Sequence, residues 1–224
     1  MPQFNQQVGK MRGRQLGPSD RISKAQYKAI STLIYETDPY IYPALFEGNL
    51  PAEEAAAKIL PSVFEHGNDT MFCKENLYVY LSGDEIVGLI LWNKGKLNWN
   101  PSLFYMVAQD AGVQLIEENV LAVSKGYVAD KYSNESEELE QSLSLINICV
   151  DYRMRGKRIG RNMMTAFMEE HTAEPMELCV RADNLDAIRL YENMGFRITN
   201  EATGFSLSES KPKCYDMIRP KVAK

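Results

Sequence analysis

Apolar positions recur at two spacings along this chain, and the switches between them mark its elements. Ile22, Ala25, Ala29, Ile30, Leu33 and Ile34 fall three or four residues apart, which predicts a helix over 18–36 with Ser19 as its N-cap. Two prolines in TDPYIYPALF (37–46) break that helix, and Pro51 fits the first turn of a second one, PAEEAAAKIL (51–60). KMRGRQL (10–16) reads as a first strand, after polar residues 1–8 that are expected to be flexible. In NLYVYLSGDEIVGLILW (76–92) two β-rich runs flank Ser82-Gly83-Asp84, the pattern of a hairpin. Residues 93–143 follow no single period. Asn100-Pro101 opens a helical piece, Gly112 interrupts it, LIEENVLAVSKGYV (115–128) opens another, and NESEELEQ (134–141) reads as a solvated acidic stretch.

From Leu143 the alternation sharpens. LSLINICV (143–150) is a strand, and GRNMMTAFMEEH (160–171) is a helix that, with the preceding Ile159, sets Ile159, Met163, Phe167 and Met168 on one side. MELCV (176–180) is a strand. NLDAIRLYENMGF (184–196) is a helix closed by Gly195, a residue suited to the left-handed position after a C-cap. CYDMI (214–218) is a last strand. There is no internal repeat. The expected organisation is a single domain over 9–224 with an insertion near 93–143.

The junction after the strand 143–150 departs from the rest. In VDYRMRGKRIGR, Arg153, Arg155, Lys157, Arg158 and Arg161 crowd around Gly156 and Gly160. Yet the chain of 224 residues carries a net charge of −5 and a pI near 5.3, which argues against a general nucleic-acid binder. A strand that turns into a helix leaves several backbone N–H groups unpaired, and with the helix dipole these make an anion site. Glycine lets the backbone come close to the anion, and Arg offers a planar fork suited to phosphate. Gly156 and Gly160 among these cations fit a pyrophosphate; a plain surface loop is the competing reading. No apolar run approaches the length of a membrane span, and MPQFNQQVGKMRGRQLG lacks the apolar core of a signal peptide. Cys73, Cys149, Cys179 and Cys214 form no CxxC pair, so neither a metal site nor a disulfide framework is expected. Cys149 and Cys179 sit in strand-like runs and are expected to be buried. A reducing cytoplasm is the expected compartment.

On these residues the chain resembles the GCN5-related N-acetyltransferase (GNAT) superfamily. The family's motif Arg/Gln-x-x-Gly-x-Gly/Ala is met from Arg155 to Gly160, except that Arg158 stands where glycine is usual. The following pattern L-x-V-x-x-x-N-x-x-A-x-x-L-Y-x-x-x-G-F is met by Leu178, Val180, Asn184, Ala187, Leu190, Tyr191, Gly195 and Phe196. The clear resemblance covers roughly 143–219. It implies an α/β (α+β) fold with a mixed, mostly antiparallel central sheet, splayed parallel strands and flanking helices. It also implies acetyl-CoA as co-substrate, with the pantetheine arm lying between the strands 145–150 and 176–181. The cofactor would then touch Ile148, Cys149, Val150, Arg155, Gly156, Lys157, Arg158, Ile159, Gly160, Asn184 and Ala187. Backbone amides near 148–150 would face the thioester oxygen.

Each role has a plainer competitor. By the resemblance Tyr191 is the general acid for the departing thiolate; at helical spacing it also suits a core aromatic. Asn184 is either a contact to the CoA arm or an N-cap. No base carries over: Ser142, Leu143 and Ser144 occupy the relevant stretch, Glu140 lies further back, and His66 in a polar loop and His171 at a helix end are both surface candidates only. For the acceptor, Glu36 and Asp38 beside Tyr35, Tyr40 and Tyr42 suit a cationic amine, carboxylates for charge and ring faces for cation–π contact. The alternative packs the tyrosines under the helix. The insertion serves either as a lid or as a homodimer surface. The expected activity is direct acetyl transfer to a primary amine of a small molecule or peptide, without metal, nucleic-acid or membrane partner. The competing activity is a CoA-binding sensor that has lost turnover.

Overall fold

The structure is a computed structural model and describes residues 11–37, 41–48, 50–68, 70–95, 98–132, 141–203 and 212–221. Its centre is a seven-stranded sheet built from β1 (Met11–Gln15), β3 (Leu77–Ser82), β4 (Glu85–Lys94), β6 (Leu143–Val150), β7 (Met176–Arg181), β8 (Arg197–Thr203) and β9 (Lys213–Arg219). They lie in the order β1-β3-β4-β6-β7-β9-β8. Every neighbouring pair is antiparallel except β6 and β7. Two further short strands, β2 (Phe46–Glu47) and β5 (Gln114–Leu115), pair with each other. This is the mixed, mostly antiparallel arrangement that the resemblance implied.

Helices cover both faces of the sheet. On the front lie α1 (Lys24–Thr37), α2 (Ile41–Leu45), α3 (Ala52–His66), α4 (Pro101–Asp110) and α5 (Glu117–Tyr132). Their apolar stripes close over one core, which includes Ile30, Ile34, Ile59, Phe64, Phe72, Trp99 and Phe104. On the back lie α6 (Ile159–Glu170) and α7 (Leu185–Glu192), over a second core of Tyr78, Met163, Met164, Phe167, Leu178, Ile188 and Tyr191. Alternation along the strands sends successive side chains to opposite cores. Along β7, Met176, Leu178 and Val180 go to the back, while Cys179 is turned outward and is exposed. The expectation that Cys179 is buried is therefore wrong: the alternation of β7 gives the core-facing side to Met176, Leu178 and Val180 and turns Cys179 the other way. Cys149 is buried as expected.

Several boundaries move for local reasons. The first helix starts at Lys24, not near Ser19: the Ser23 hydroxyl accepts from the Gln26 amide at 3.2 Å, and the Gln26 side chain accepts from the Ser23 amide at 3.0 Å. This reciprocal capping box satisfies two helix-end donors, which a lone Ser19 cannot do. Pro51 sits just before α3, at its N-cap, and the helix continues through Pro61 to His66. A mid-helix proline forfeits one backbone bond, but Val63 and Phe64 are fully buried beyond it and outweigh that loss. His66 thus belongs to a helix end, its Nδ1 2.9 Å from the Ser62 carbonyl. His171 ends its helix but is only partly exposed. Its ring packs 5.0 Å from Trp92 and 4.4 Å from Phe167, and its Nε2 is buried without a partner among the described residues. Strand β8 was not expected; its edge position leaves polar residues along much of it, which hides the alternation. The hairpin, Asn100 as the N-cap of α4, the helix after Gly112 and the positive φ of Gly195 are as expected. The acidic stretch 134–141 lies almost entirely outside the described residues.

Candidate functional site

The parallel strands β6 and β7 face each other for only three residues, Leu143↔Met176, Ser144↔Glu177 and Leu145↔Leu178. From Ile146 onward β6 keeps its antiparallel partner β4 but loses β7. The Asp151 amide donates to the Val87 carbonyl at 3.0 Å. In an antiparallel ladder such hydrogen-bonded residues alternate with residues whose backbone groups point the other way. The N–H and C=O of Val150 and Ile148 therefore face the split. An edge of this kind, with no neighbouring strand, can take an extended, amide-bearing ligand as an added strand.

At the open end of the split the chain makes a turn, 152–154, and then runs to α6. Asp151 shapes it: its carboxylate accepts from the Arg153 amide at 2.9 Å and from the Arg153 side chain. The Arg153 guanidinium, hydrogen-bonded to it, holds the Asp151 carboxyl below the usual carboxylate range. Arg153 also meets Glu85 at 2.9 Å. It is thus committed to two carboxylates rather than offered to an anion. An Asp two residues before a turn amide is a recognisable sequence signal, and Asp151 fits it.

Beyond the turn the backbone opens. Among the described residues, none of the amides of 156–161 donates to a protein acceptor; the first helical bond runs from Asn162 to the Arg158 carbonyl at 3.0 Å. Gly156 has φ 76° and Arg158 has φ 61°. Arg158 is the one non-glycine residue in the left-handed region among the described residues. A residue with a Cβ thus holds a conformation that glycine adopts freely, at a cost of roughly 1–2 kcal/mol. Lys157 and Arg158 are exposed beside these amides. Together the amides, the α6 N-terminus and the two cations form a site suited to a diphosphate. Gly160 lies in the first turn of α6, where an added Cβ would meet Val150 and Leu190 at 3.6 and 3.7 Å, ordinary contact distances.

Arg155 behaves differently. Its Nε donates to the Val150 carbonyl at 3.1 Å, and its Nη2 lies 3.5 Å from Glu36 at the end of α1. Cys149 is beside them. Burial, with the Glu36 carboxylate nearby, pushes its thiol up to about 11, and Arg155 opposes the shift. Tyr191 of α7 reaches the same region. It is 7% exposed, and burial, with Cys149 beside it, pushes its phenol up. Its hydroxyl makes no hydrogen bond among the described residues and is not among their sealed, unpartnered atoms. Cys149, Arg155, Glu36 and Tyr191 thus converge at the end of β6, from three elements and a loop. Tyr191 also packs on Phe196, so the core role and an outward hydroxyl coexist.

Asn184 caps α7 by accepting from the Ala187 amide at 3.3 Å. Ala187 is half-buried next to the back core. Tyr35 packs against Tyr42 with ring centroids 6.4 Å apart, as in the plainer reading of those tyrosines. Asp38 and Tyr40 lie outside the described residues. From Glu36 a groove of about 980 Å³ runs along α1, floored by Ala29, Leu33 and Ile86 and rimmed by Tyr152 and Arg153. Among the described residues no group of three or more His, Cys, Asp or Glu side chains is placed to hold a metal ion. No helix among them is long and apolar enough to cross a membrane.

Residues 100–198 match the sequence model of the acetyltransferase (GNAT) domain. The fold is similar to that of an N-acetyltransferase from Staphylococcus aureus, with 18% identity, a TM-score of 0.57, and 92% of this chain and 99% of that one covered. It is also similar to a protein described as histone acetyltransferase HPA2 and related acetyltransferase from Corynebacterium glutamicum (16% identity, TM-score 0.58, 96% and 98% covered). A third likeness is a GNAT-family acetyltransferase from Streptococcus pneumoniae (15% identity, TM-score 0.51, 94% and 98% covered). A search of curated protein sequences gave no match. The resemblance drawn from Arg155–Gly160 and Leu178–Phe196 is borne out: the chain carries a GNAT domain signature on a GNAT fold.

Proposed function

We propose that the protein is an acetyl-CoA-dependent N-acetyltransferase that moves the acetyl group directly to a primary amine of a small molecule or peptide. The observation that carries this reading is the split after Leu145↔Leu178, which opens onto the unpartnered amides of 156–161. The diphosphate of CoA would rest on those amides with Lys157 and Arg158 beside it. The pantetheine arm would pair with Ile148 and Val150, and the thioester would come to the end of β6, next to Tyr191. In direct transfer the neutral amine nitrogen bonds to the acetyl carbon, the carbon–sulfur bond breaks, the leaving thiolate takes up one proton, and the nitrogen gives one up to water. Tyr191 is the candidate donor of that proton, because burial keeps its phenol protonated. The amide of Val150 or Ile148 would polarise the carbonyl. Glu36, facing the groove, would attract the ammonium form of the acceptor, which must give up a proton to water before its nitrogen, held close to the thioester, can attack.

The test is thiol release from acetyl-CoA over a panel of amines, with CoA affinity measured in parallel. Binding with turnover on at least one amine is expected. CoA binding without turnover on any of them would favour the sensor reading, and no CoA binding would remove both.

A further inference from the structure

Arg155 opens the phosphate-loop motif, yet its side chain points away from the loop. The Val150 carbonyl that its Nε engages is one of the groups turned toward the split. The same guanidinium is the only ion-pair partner of Glu36 among the described residues. One side chain therefore occupies a backbone acceptor of the donor subsite and a carboxylate of the acceptor groove. The Val150 contact is an ordinary hydrogen bond made by a solvent-exposed side chain, and the Glu36 contact, at 3.5 Å, is a long one. The guanidinium is 60% exposed and its carboxylate contact is long, so exchanging them for others costs little.

We propose that Arg155 is a positioning latch that couples the two subsites. This deepens the acetyltransferase reading and rests on it. An amide-bearing arm that takes the split edge competes with Arg155 for the Val150 carbonyl. Displaced from that anchor, the guanidinium is free to swing toward the diphosphate, whose two negative groups attract it more strongly than one carboxylate does. Glu36 then loses its cation and is left to receive the ammonium of the acceptor. Donor and cationic amine therefore strengthen each other's binding, as linkage requires of any two ligands that bias one element.

The experiment uses the full chain and two probes, CoA and pantetheine; the second carries the amide arm but no phosphate. Affinities for both are measured by NMR-followed titration for the native protein, Arg155→Met and Glu36→Gln. If the latch exists, Arg155→Met binds pantetheine about two- to tenfold more tightly, the scale of one released hydrogen bond. Glu36→Gln, which loosens the other anchor, shifts pantetheine affinity the same way by less. Unchanged or weakened pantetheine binding in Arg155→Met overturns the latch, and a loss confined to CoA would mark Arg155 as a plain phosphate ligand. Native protein that ignores CoA removes the acetyltransferase reading itself; native CoA binding with unmoved pantetheine affinity removes the latch alone.

Discussion

Leu145 and Leu178 are the last residues at which β6 and β7 stand opposite each other in register. Beyond them the sheet stays continuous through β4 on one side and β9 on the other, so the opening is a wedge in an otherwise closed surface. The residues lining it come from motifs far apart in sequence, and several consequences can be measured.

Tyr191→Phe should lower kcat by about 10²-fold or more, the range of a lost general acid, and leave CoA affinity within about twofold. The hydroxyl makes no internal hydrogen bond among the described residues, so the fold should hardly notice its removal. Turnover equal to the native protein would remove Tyr191 from the chemistry.

At Gly160 a methyl group fits against Val150 and Leu190. Gly160→Ala should therefore keep CoA affinity within a few-fold. Gly160→Asp sets a carboxylate beside the proposed diphosphate site and should weaken binding about tenfold or more, since like charges brought together cost several kcal/mol. Calorimetric titration of both variants checks this; equal affinities would mean that the anion site lies elsewhere.

Arg158 carries φ 61° on a residue with a Cβ. Comparing Arg158→Gly with Arg158→Ala removes the side chain in both and isolates the backbone. The glycine variant should be more stable by about 1 kcal/mol, a rise of about 2–4 °C in Tm for a chain of this size. An alanine variant equal to or above glycine would contradict the left-handed conformation.

His171 titrates with a sign fixed by its surroundings. Burial between Trp92 and Phe167 lowers its pKa, although Glu174 and Glu170 pull the other way. Unfolded, the ring takes a proton near pH 6.5; folded, it resists until lower pH. Its contribution to stability is therefore whole above about pH 6.5 and is lost as the pH falls toward the folded value. Urea midpoints from pH 7.5 to 5 should decline more in the native protein than in His171→Phe. Parallel curves would show that His171 is solvated in solution.

How much of this was legible in the residues follows from what each signal depends on. The strand–loop–helix from Leu143 to Glu170 and the pair β7–α7 were readable because periodicity, glycines and motif spacing agree there. Ser23 was passed over for Ser19, because a capping box needs the Gln three residues on, a feature weaker than the apolar period that set the helix. The continuation of α3 through Pro61 depends on Val63 and Phe64 finding a core, which is a tertiary fact. The exposure of Cys179 likewise depends on which side of β7 faces a core. Within the site, Lys157 and Arg158 stand beside the amides of 156–161 because all of them belong to one short loop, and such local neighbours can be read from sequence. The turn of Arg155 toward Val150 and Glu36 was not readable, since 119 residues separate the members of that ion pair.

The central claim is that an amide-bearing arm pairs with the free edge of β6 while its diphosphate rests on the amides of 156–161. Titrating CoA into isotopically labelled protein and following backbone amide resonances tests it directly. The account predicts saturable shifts and slowed hydrogen exchange at Ile148, Val150 and Gly156 to Arg161. Saturable binding that leaves those amides unmoved, or resonances unaffected by millimolar CoA, would contradict it.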